Sequence, residues 1–334
     1  SMMYLASKLP LDVIERVGHW LLFFSIALLI LVLVPGIGRV VNGSARWLNL
    51  GLFQFQVSEM VKLCVILYLA GYLVRRGDEV REKVSGFIKP MGLMAFIALL
   101  LLLEPDFGAT AVVLATALAM MFLAGVKLWH YLILMLASGG AMALLAVAEP
   151  YRVKRITSFL DPWADPFNTG FQLTQALIAI GRGEWFGVGI GDSVQKLFYL
   201  PEAHTDFLYA VMVEETGLMG GLLLILLYGT LLHRCFKVGD SAQRKGMEFG
   251  AYTAYGVGIW LGMQAAVNLG VNLGVLPTKG LTLPLMSYGG SSLLITCAAL
   301  GLVLNIDMQT RRTPAPVVEG EIAPNPFKWK GAAS

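Results

Sequence analysis

The sequence predicts an all-α protein, a polytopic membrane bundle of about eight spanning helices with one long outer loop. Three observations predict it. Only 14% of the 334 residues are charged and 57% are hydrophobic, against about 25% charged in ordinary soluble domains. The apolar residues fall in long runs, and the runs lack the alternation at period two that a membrane barrel would show. In lipid the backbone must satisfy its own hydrogen bonds, so runs of about 20 apolar residues select helices. Mean hydropathy of +0.69 agrees.

Several classes drop out at once. A formal net charge of +3, spread along the chain, gives no basic patch for nucleic acid. Cys64, Cys235 and Cys297 lie in or beside apolar runs without CxxC spacing, which argues against a disulfide framework or a zinc site. Ser1-Met2-Met3 has neither a basic n-region nor a cleavage site, as expected of a stretch interior to something longer.

In chain order, Lys8 to Val17 mixes charges with Leu11, Ile14 and Val17 at helical spacing and reads as an interfacial connector. The spans are expected at 18–35, 57–74, 88–104, 107–125, 130–148, 207–232, 249–272 and 286–306. Short loops set the orientation through Lys and Arg. The connection from Arg75 to Lys89 carries five basic residues, and Lys127, then Arg234, Lys237, Arg244 and Lys245, fall on the same side with Arg311 and Arg312. That side is expected to be cytoplasmic. The residues 36–56, the Lys279 connection and the loop 149–205 are then outside. Residues 1–312 form one membrane domain, and 313–334, rich in Pro, Ala and Glu, read as a disordered cytoplasmic tail.

The outer loop is too long for a plain connection and so is a place to expect function. Its Gly187-Val-Gly-Ile-Gly191 run lacks GxGxxG spacing and reads as a flexible segment. It ends at Tyr199-Leu-Pro-Glu-Ala-His-Thr-Asp206, where Thr205 reads as the N-cap of the next helix and Asp206 as a first-turn acid at the lipid boundary. Within the spans, Glu59 and Lys62 are three apart and suit an ion pair. Glu104 and Asp106 flank a proline between two spans, with Asp106 a candidate N-cap. Gln264, Asn268 and Asn272 make one polar stripe, read chiefly as interhelical packing. Glu214 and Glu215 lie deeper than Asp206 and on other faces, so one of them is expected to pair with a cation rather than to react.

Five segments together resemble the SEDS family (shape, elongation, division and sporulation): Val34-Pro-Gly-Ile-Gly-Arg39 with Asn42-Gly-Ser-Ala-Arg-Trp47, Ser58-Glu-Met-Val-Lys62, Glu104-Pro-Asp-Phe-Gly108, Tyr199 to Asp206, and Pro277-Thr-Lys-Gly-Leu-Thr-Leu-Pro-Leu-Met-Ser-Tyr-Gly-Gly-Ser-Ser292. They occur in the family's order from about Pro10 to Arg312, and the last two are more similar to the cell-division branch than to the elongation branch. The resemblance implies a ten-span bundle with both ends cytoplasmic, of which the first span and most of the second would precede this chain. It implies a peptidoglycan glycosyltransferase of the bacterial inner membrane that polymerises lipid II into glycan strands on the periplasmic face, at the division septum. Its partners would be lipid II, the growing strand, membrane lipid, a class B penicillin-binding transpeptidase and other division proteins.

By motif, the family's essential aspartate falls on Asp206, and its outer cavity on Arg46, Glu59 and Lys62, with Lys279, Ser287 and Ser291 matched less closely. Phe198 stands where some relatives carry an acid, so a second carboxylate there has no support. The implied chemistry is general-base attack by the acceptor 4-hydroxyl with Asp206 taking its proton, while cations neutralise the pyrophosphate. No cofactor is required; a divalent cation would suit the pyrophosphate, although no ligand cluster is readable. A lipid II flippase or transporter, and a non-catalytic scaffold of the division machinery, are the rival readings.

Overall fold

The computed structural model describes residues 2–36, 38–41, 44–49, 54–132, 161–168, 170–277 and 280–313. Its helices are α1 (Met2–Ala6), α2 (Leu11–Leu33), α3 (Val57–Glu82), α4 (Val84–Leu103), α5 (Phe107–Leu123), α6 (Phe171–Gly183), α7 (Leu208–Arg244), α8 (Glu248–Asn272) and α9 (Gly290–Arg312). Five of them, α2, α3, α4, α7 and α9, are long and apolar enough to cross a membrane, and α5 is a shorter apolar helix. The chain is therefore a multi-pass membrane protein with an all-α bundle. The expected span 130–148 lies, beyond residue 132, outside the described residues, as does the tail from 314.

The bundle is built around α3. It packs against α2, α4, α5, α8 and α9, and residues such as Val61, Ile66, Leu69 and Ala70 have no exposed surface. α8 comes close because Gly256 faces it. A Cβ there would lie 2.6 Å from Ile66 Cγ2 and 2.8 Å from Met120 Sδ, so small residues let this polar-striped helix lie among apolar ones.

Two boundaries differ from the sequence reading. Lys8–Val17 is not a separate connector: α2 starts directly after Pro10, which sits at its N-cap with φ −62°. Proline fixes the φ that a helix start needs, and helical hydrogen bonding does not stop where the apolar surface begins. Residues 38–56 also fold in a way the span pattern did not foresee. β1 (Gly38–Val41), β2 (Ser44–Asn49) and β3 (Gln54–Gln56) form an antiparallel sheet in the order β1-β2-β3, with Arg39 opposite Trp47 and Trp47 opposite Gln56.

The long loop is ordered where it meets α7. That helix is interrupted at Gly217, with φ 72° and ψ −174°, and the freed backbone is matched by residues 184–189. Val188 N–H donates to Glu214 C=O (3.0 Å), Gly189 N–H to Glu215 C=O (3.2 Å), and Leu218 N–H to Glu184 C=O (2.8 Å). The glycines here are required by geometry: Gly187 has φ +80°, and a Cβ on it would lie 2.1 Å from Glu215 O. The expected flexible run is thus a fixed seam. Glu214 and Glu215 both pair with this loop, Glu214 with Arg182 at 3.1 Å and Glu215 with Lys196 at 2.8 Å. Such pairing satisfies acids in an apolar setting, and the expected pairing role is met by both rather than one.

Candidate functional site

Asp206 lies just before α7, in a turn held from three sides. Neither of the expected local roles survives. The N-cap of α7 is Phe207, with no side-chain cap, and Thr205 Oγ1 instead donates within its own turn to Glu202 Oε2 at 2.7 Å. The cap comes from another helix: Ala210 N–H donates to Asn272 Oδ1 of α8 at 3.1 Å. A helix end can be satisfied by any acceptor that reaches it, and the α8 stripe reaches it first.

The same stripe fixes the acid's backbone. Asn268 Nδ2 and Asn272 Nδ2 donate to Asp206 C=O at 2.8 and 2.9 Å. Asn268 Nδ2 also donates to Leu281 C=O at 2.6 Å, and Gln264 Nε2 to Thr282 C=O at 2.9 Å. The stripe read as interhelical packing therefore clips the segment 281–282 and the aspartate turn onto one helix. Its period of four, beside a helix without a local cap, was the available signal. From the other side Ser287 Oγ donates to Thr205 C=O, and Tyr288 N–H to His204 C=O at 2.9 Å.

The surrounding motifs converge on this turn. Arg46, from β2, donates through Nε to Glu104 C=O at 3.1 Å and through Nη2 to Pro105 C=O at 2.6 Å. Asp106 caps α5, accepting from Ala109 N–H at 3.1 Å, and accepts from Ser58 Oγ, also at 3.1 Å. Burial pushes the half-buried Asp206 carboxyl up to about 7, helped by the charges of Glu202 and Asp106 and opposed by Arg46. The extra carboxylates are thus Glu202 and Asp106 rather than a residue at position 198. Glu104, 1% exposed, is pushed by burial and by Asp106 up to about 8, against the pull of Arg46.

Gly280 faces the acid. A Cβ on it would lie 3.1 Å from Asp206 Oδ2, closer than nearly all Cβ contacts. Gly280→Ala is expected to push the carboxylate aside by a few tenths of an ångström and to lower turnover by about tenfold, with the thermal unfolding midpoint unchanged. Paired rate and unfolding measurements check this, and an unaltered rate would show that the glycine has no part in setting the acid.

The other expected site residues are distributed differently. Glu59 and Lys62 form the ion pair read from their spacing, at 2.8 Å, but they are 4% and 2% exposed and lie within the bundle. Lys62 Nζ also donates to Gln264 Oε1 at 2.7 Å and sits 5.4 Å from the Trp260 ring centroid. Ser291 Oγ donates to Gln54 C=O at 3.1 Å and accepts from Gln56 N–H at 3.0 Å, pinning β3 to α9. Lys279 lies outside the described residues. Among the described residues no three His, Cys, Asp or Glu side chains gather as a metal site.

The bundle fixes a carboxylate just before α7, with an arginine and further acids around it, and so offers a candidate site for a membrane enzyme. The model of the FtsW/RodA/SpoVE family, described as cell cycle protein, matches residues 1–312, and the chain belongs to that family. It is 60% identical over 306 residues to a probable peptidoglycan glycosyltransferase FtsW of Thioalkalivibrio sulfidiphilus, covering 92% of this chain and 76% of that protein. To the protein of the same description from Legionella pneumophila it is 57% identical over 297 residues, covering 89% and 75%. Among solved structures, a chain of a peptidoglycan synthase complex that coordinates polymerization and crosslinking matches with TM-score 0.76 and 34% identity, over 92% of this chain and 86% of that one. The rod shape determining protein RodA of Thermus thermophilus matches with TM-score 0.66 and 33% identity, over 92% and 83%. The activity of the chain is peptidoglycan glycosyl transfer.

Proposed function

We propose that the chain polymerises lipid II, with Asp206 as general base. Asp206 takes the proton of the acceptor 4-hydroxyl as that oxygen bonds to the donor's anomeric carbon. The bond from that carbon to the lipid pyrophosphate breaks with inversion, and the pyrophosphate leaves with the bonding pair. The leaving group is already good, so it needs cations rather than an acid. Arg46, beside the turn, is the first candidate, and Lys279, by its motif, is the second. The buried Lys62 acts on this reading through Gln264 and the segment 281–282. Ser287 and Ser291 support the site by holding backbone.

The observation that carries the proposal is the acid's setting. It is half-buried, its backbone is fixed by two asparagines, and its affinity for a proton is raised to about 7, near the pH at which a base works best. Placement in the periplasmic half of the inner membrane, at the septum, rests on the charge of the short loops and on the branch of the family. A class B penicillin-binding transpeptidase as partner is supported by the likeness to a chain of a peptidoglycan synthase complex.

The test is polymerisation by the purified chain from lipid II in detergent, where nothing needs to be transported. Glycan strands are expected, with a rate that climbs about tenfold per pH unit below 7 and levels off above it as Asp206 ionises. A flippase or a scaffold would leave lipid II unchanged.

A further inference from the structure

The turn that carries Asp206 is wound around a strained acid. Glu202 has φ +58°, in the left-handed region that favours glycine and that a longer side chain enters only under strain. Its surroundings hold it there. The Glu202 C=O accepts from Thr205 N–H at 3.1 Å and from Phe207 N–H at 3.2 Å, and its carboxylate Oε2 accepts from Thr205 Oγ1 at 2.7 Å. Backbone and side chain are both tied into the turn, so the charge keeps a set place four residues before Asp206.

Closing the turn does not call for a glutamate. The closing hydrogen bonds use the carbonyl, which any residue supplies, and the backbone angle favours glycine. The first turn of α7 is satisfied by Asn272. What the glutamate adds is a negative charge beside another acid. Beyond burial, three charged groups among the described residues act on the Asp206 carboxyl: Glu202 from the turn, Arg46 from β2, and Asp106 from the start of α5. Arg46 and the N-terminal end of α7 favour the ionised form and weaken the acid's hold on a proton. Asp106 opposes them, but it is also committed to capping α5 and to accepting from Ser58.

We propose that Glu202 is a positioning residue of the reaction, its charge clasped by Thr205 so that Asp206 keeps enough affinity for the proton of the acceptor hydroxyl. The effect on rate rests on the reading of Asp206 as the base; the effect on the Asp206 carboxyl does not.

The test measures both in the full chain in detergent. Esterification of Asp206 by a diazo reagent, which attacks the protonated carboxyl, is followed against pH by peptide mass spectrometry, and lipid II polymerisation is followed over the same range. Glu202→Gln keeps the size and an acceptor oxygen for Thr205 but removes the charge. Its labelling midpoint is expected to move to lower pH, with labelling at pH 7 reduced at least about twofold. The rate midpoint should move with it, and the plateau rate should fall as the base weakens. Because Glu202 is exposed, the difference from wild type should narrow at high salt. Glu202→Gly relieves the strained φ and is expected to unfold at the wild-type temperature or higher while showing the same shift, a combination that a purely structural role would not give. An unmoved labelling midpoint in Glu202→Gln overturns the proposal. A moved labelling midpoint with an unmoved rate profile would uphold the action of Glu202 on Asp206 and remove Asp206 as the base.

Discussion

Asp206→Asn is expected to abolish polymerisation, by about 10²- to 10⁴-fold, in a protein that folds as well as wild type. The amide keeps the volume of the acid and one acceptor oxygen, replaces the other oxygen by an NH2 donor, and cannot take a proton. The anchors of the turn are unaffected, because Asn268 and Asn272 hold the backbone carbonyl of residue 206, not its side chain. The stability sign is opposite to the activity sign. The folded carboxyl binds its proton more tightly than the unfolded one, about 7 against 3.8. Its contribution is therefore present in full below 3.8 and is lost as pH rises through about 7. At pH 8 the asparagine variant should unfold at the same temperature as wild type or a higher one. Residual polymerisation at the wild-type rate would remove Asp206 as the base.

Lys62→Met carries the largest expected effect on stability. The pair Lys62 and Glu59 is buried among α3 and α8, and Lys62 is shared with Gln264. Removing the cation leaves Glu59 charged in an apolar interior, at a cost of about 3–5 kcal/mol. Gln264 would lose a donor, and with it the hold on Thr282 would slacken. The double variant Glu59→Gln/Lys62→Met removes both charges and is expected to regain most of the stability. Unfolding in detergent distinguishes this from a direct contact with substrate: if the single and double variants are equally stable and equally inactive, the pair serves the substrate instead of the fold.

What could be read from the chain without its structure follows physical range. The apolar runs specify spans locally, and seven helices, α2, α3, α4, α5, α7, α8 and α9, appear where they predict; α3, α7 and α9 continue into polar residues that hydropathy assigns to loops. The i,i+3 spacing of Glu59 and Lys62 specifies their pairing for the same reason. Asp106 caps α5 as its place before the helix predicts. The sheet of 38–41, 44–49 and 54–56 also has a local signal, since Asn42-Gly43 between two short runs is a hairpin signature. Thr205 failed as a cap because capping depends on which acceptor arrives, and Asn272 arrives from another helix 62 positions away in sequence. Likewise no spacing could bring Arg46, Asp106 and Gly280 to one carboxylate. The motifs identified them as important; only the packing of β2 against α3, of α5 against α3 and α8, and of the segment 281–282 against α8 explains their association.

The interruption of α7 at Gly217 bears on how the protein is made. Gly217 is nine positions past the start of the helix, roughly 14 Å along it, and its unwound turn is completed by backbone groups of 184–189. Phe186 and Ile190, 83% and 87% exposed, present an apolar edge of that loop outward. A lone α7 entering the bilayer would carry bare carbonyls and amides, a state worth several kcal/mol against insertion. In the folded chain residues 184–189, which precede the helix in sequence, supply the partners of the broken turn. The N-terminal end of α7, next to Asp206, is thus completed by an earlier segment of the chain instead of by the helix's own propensity.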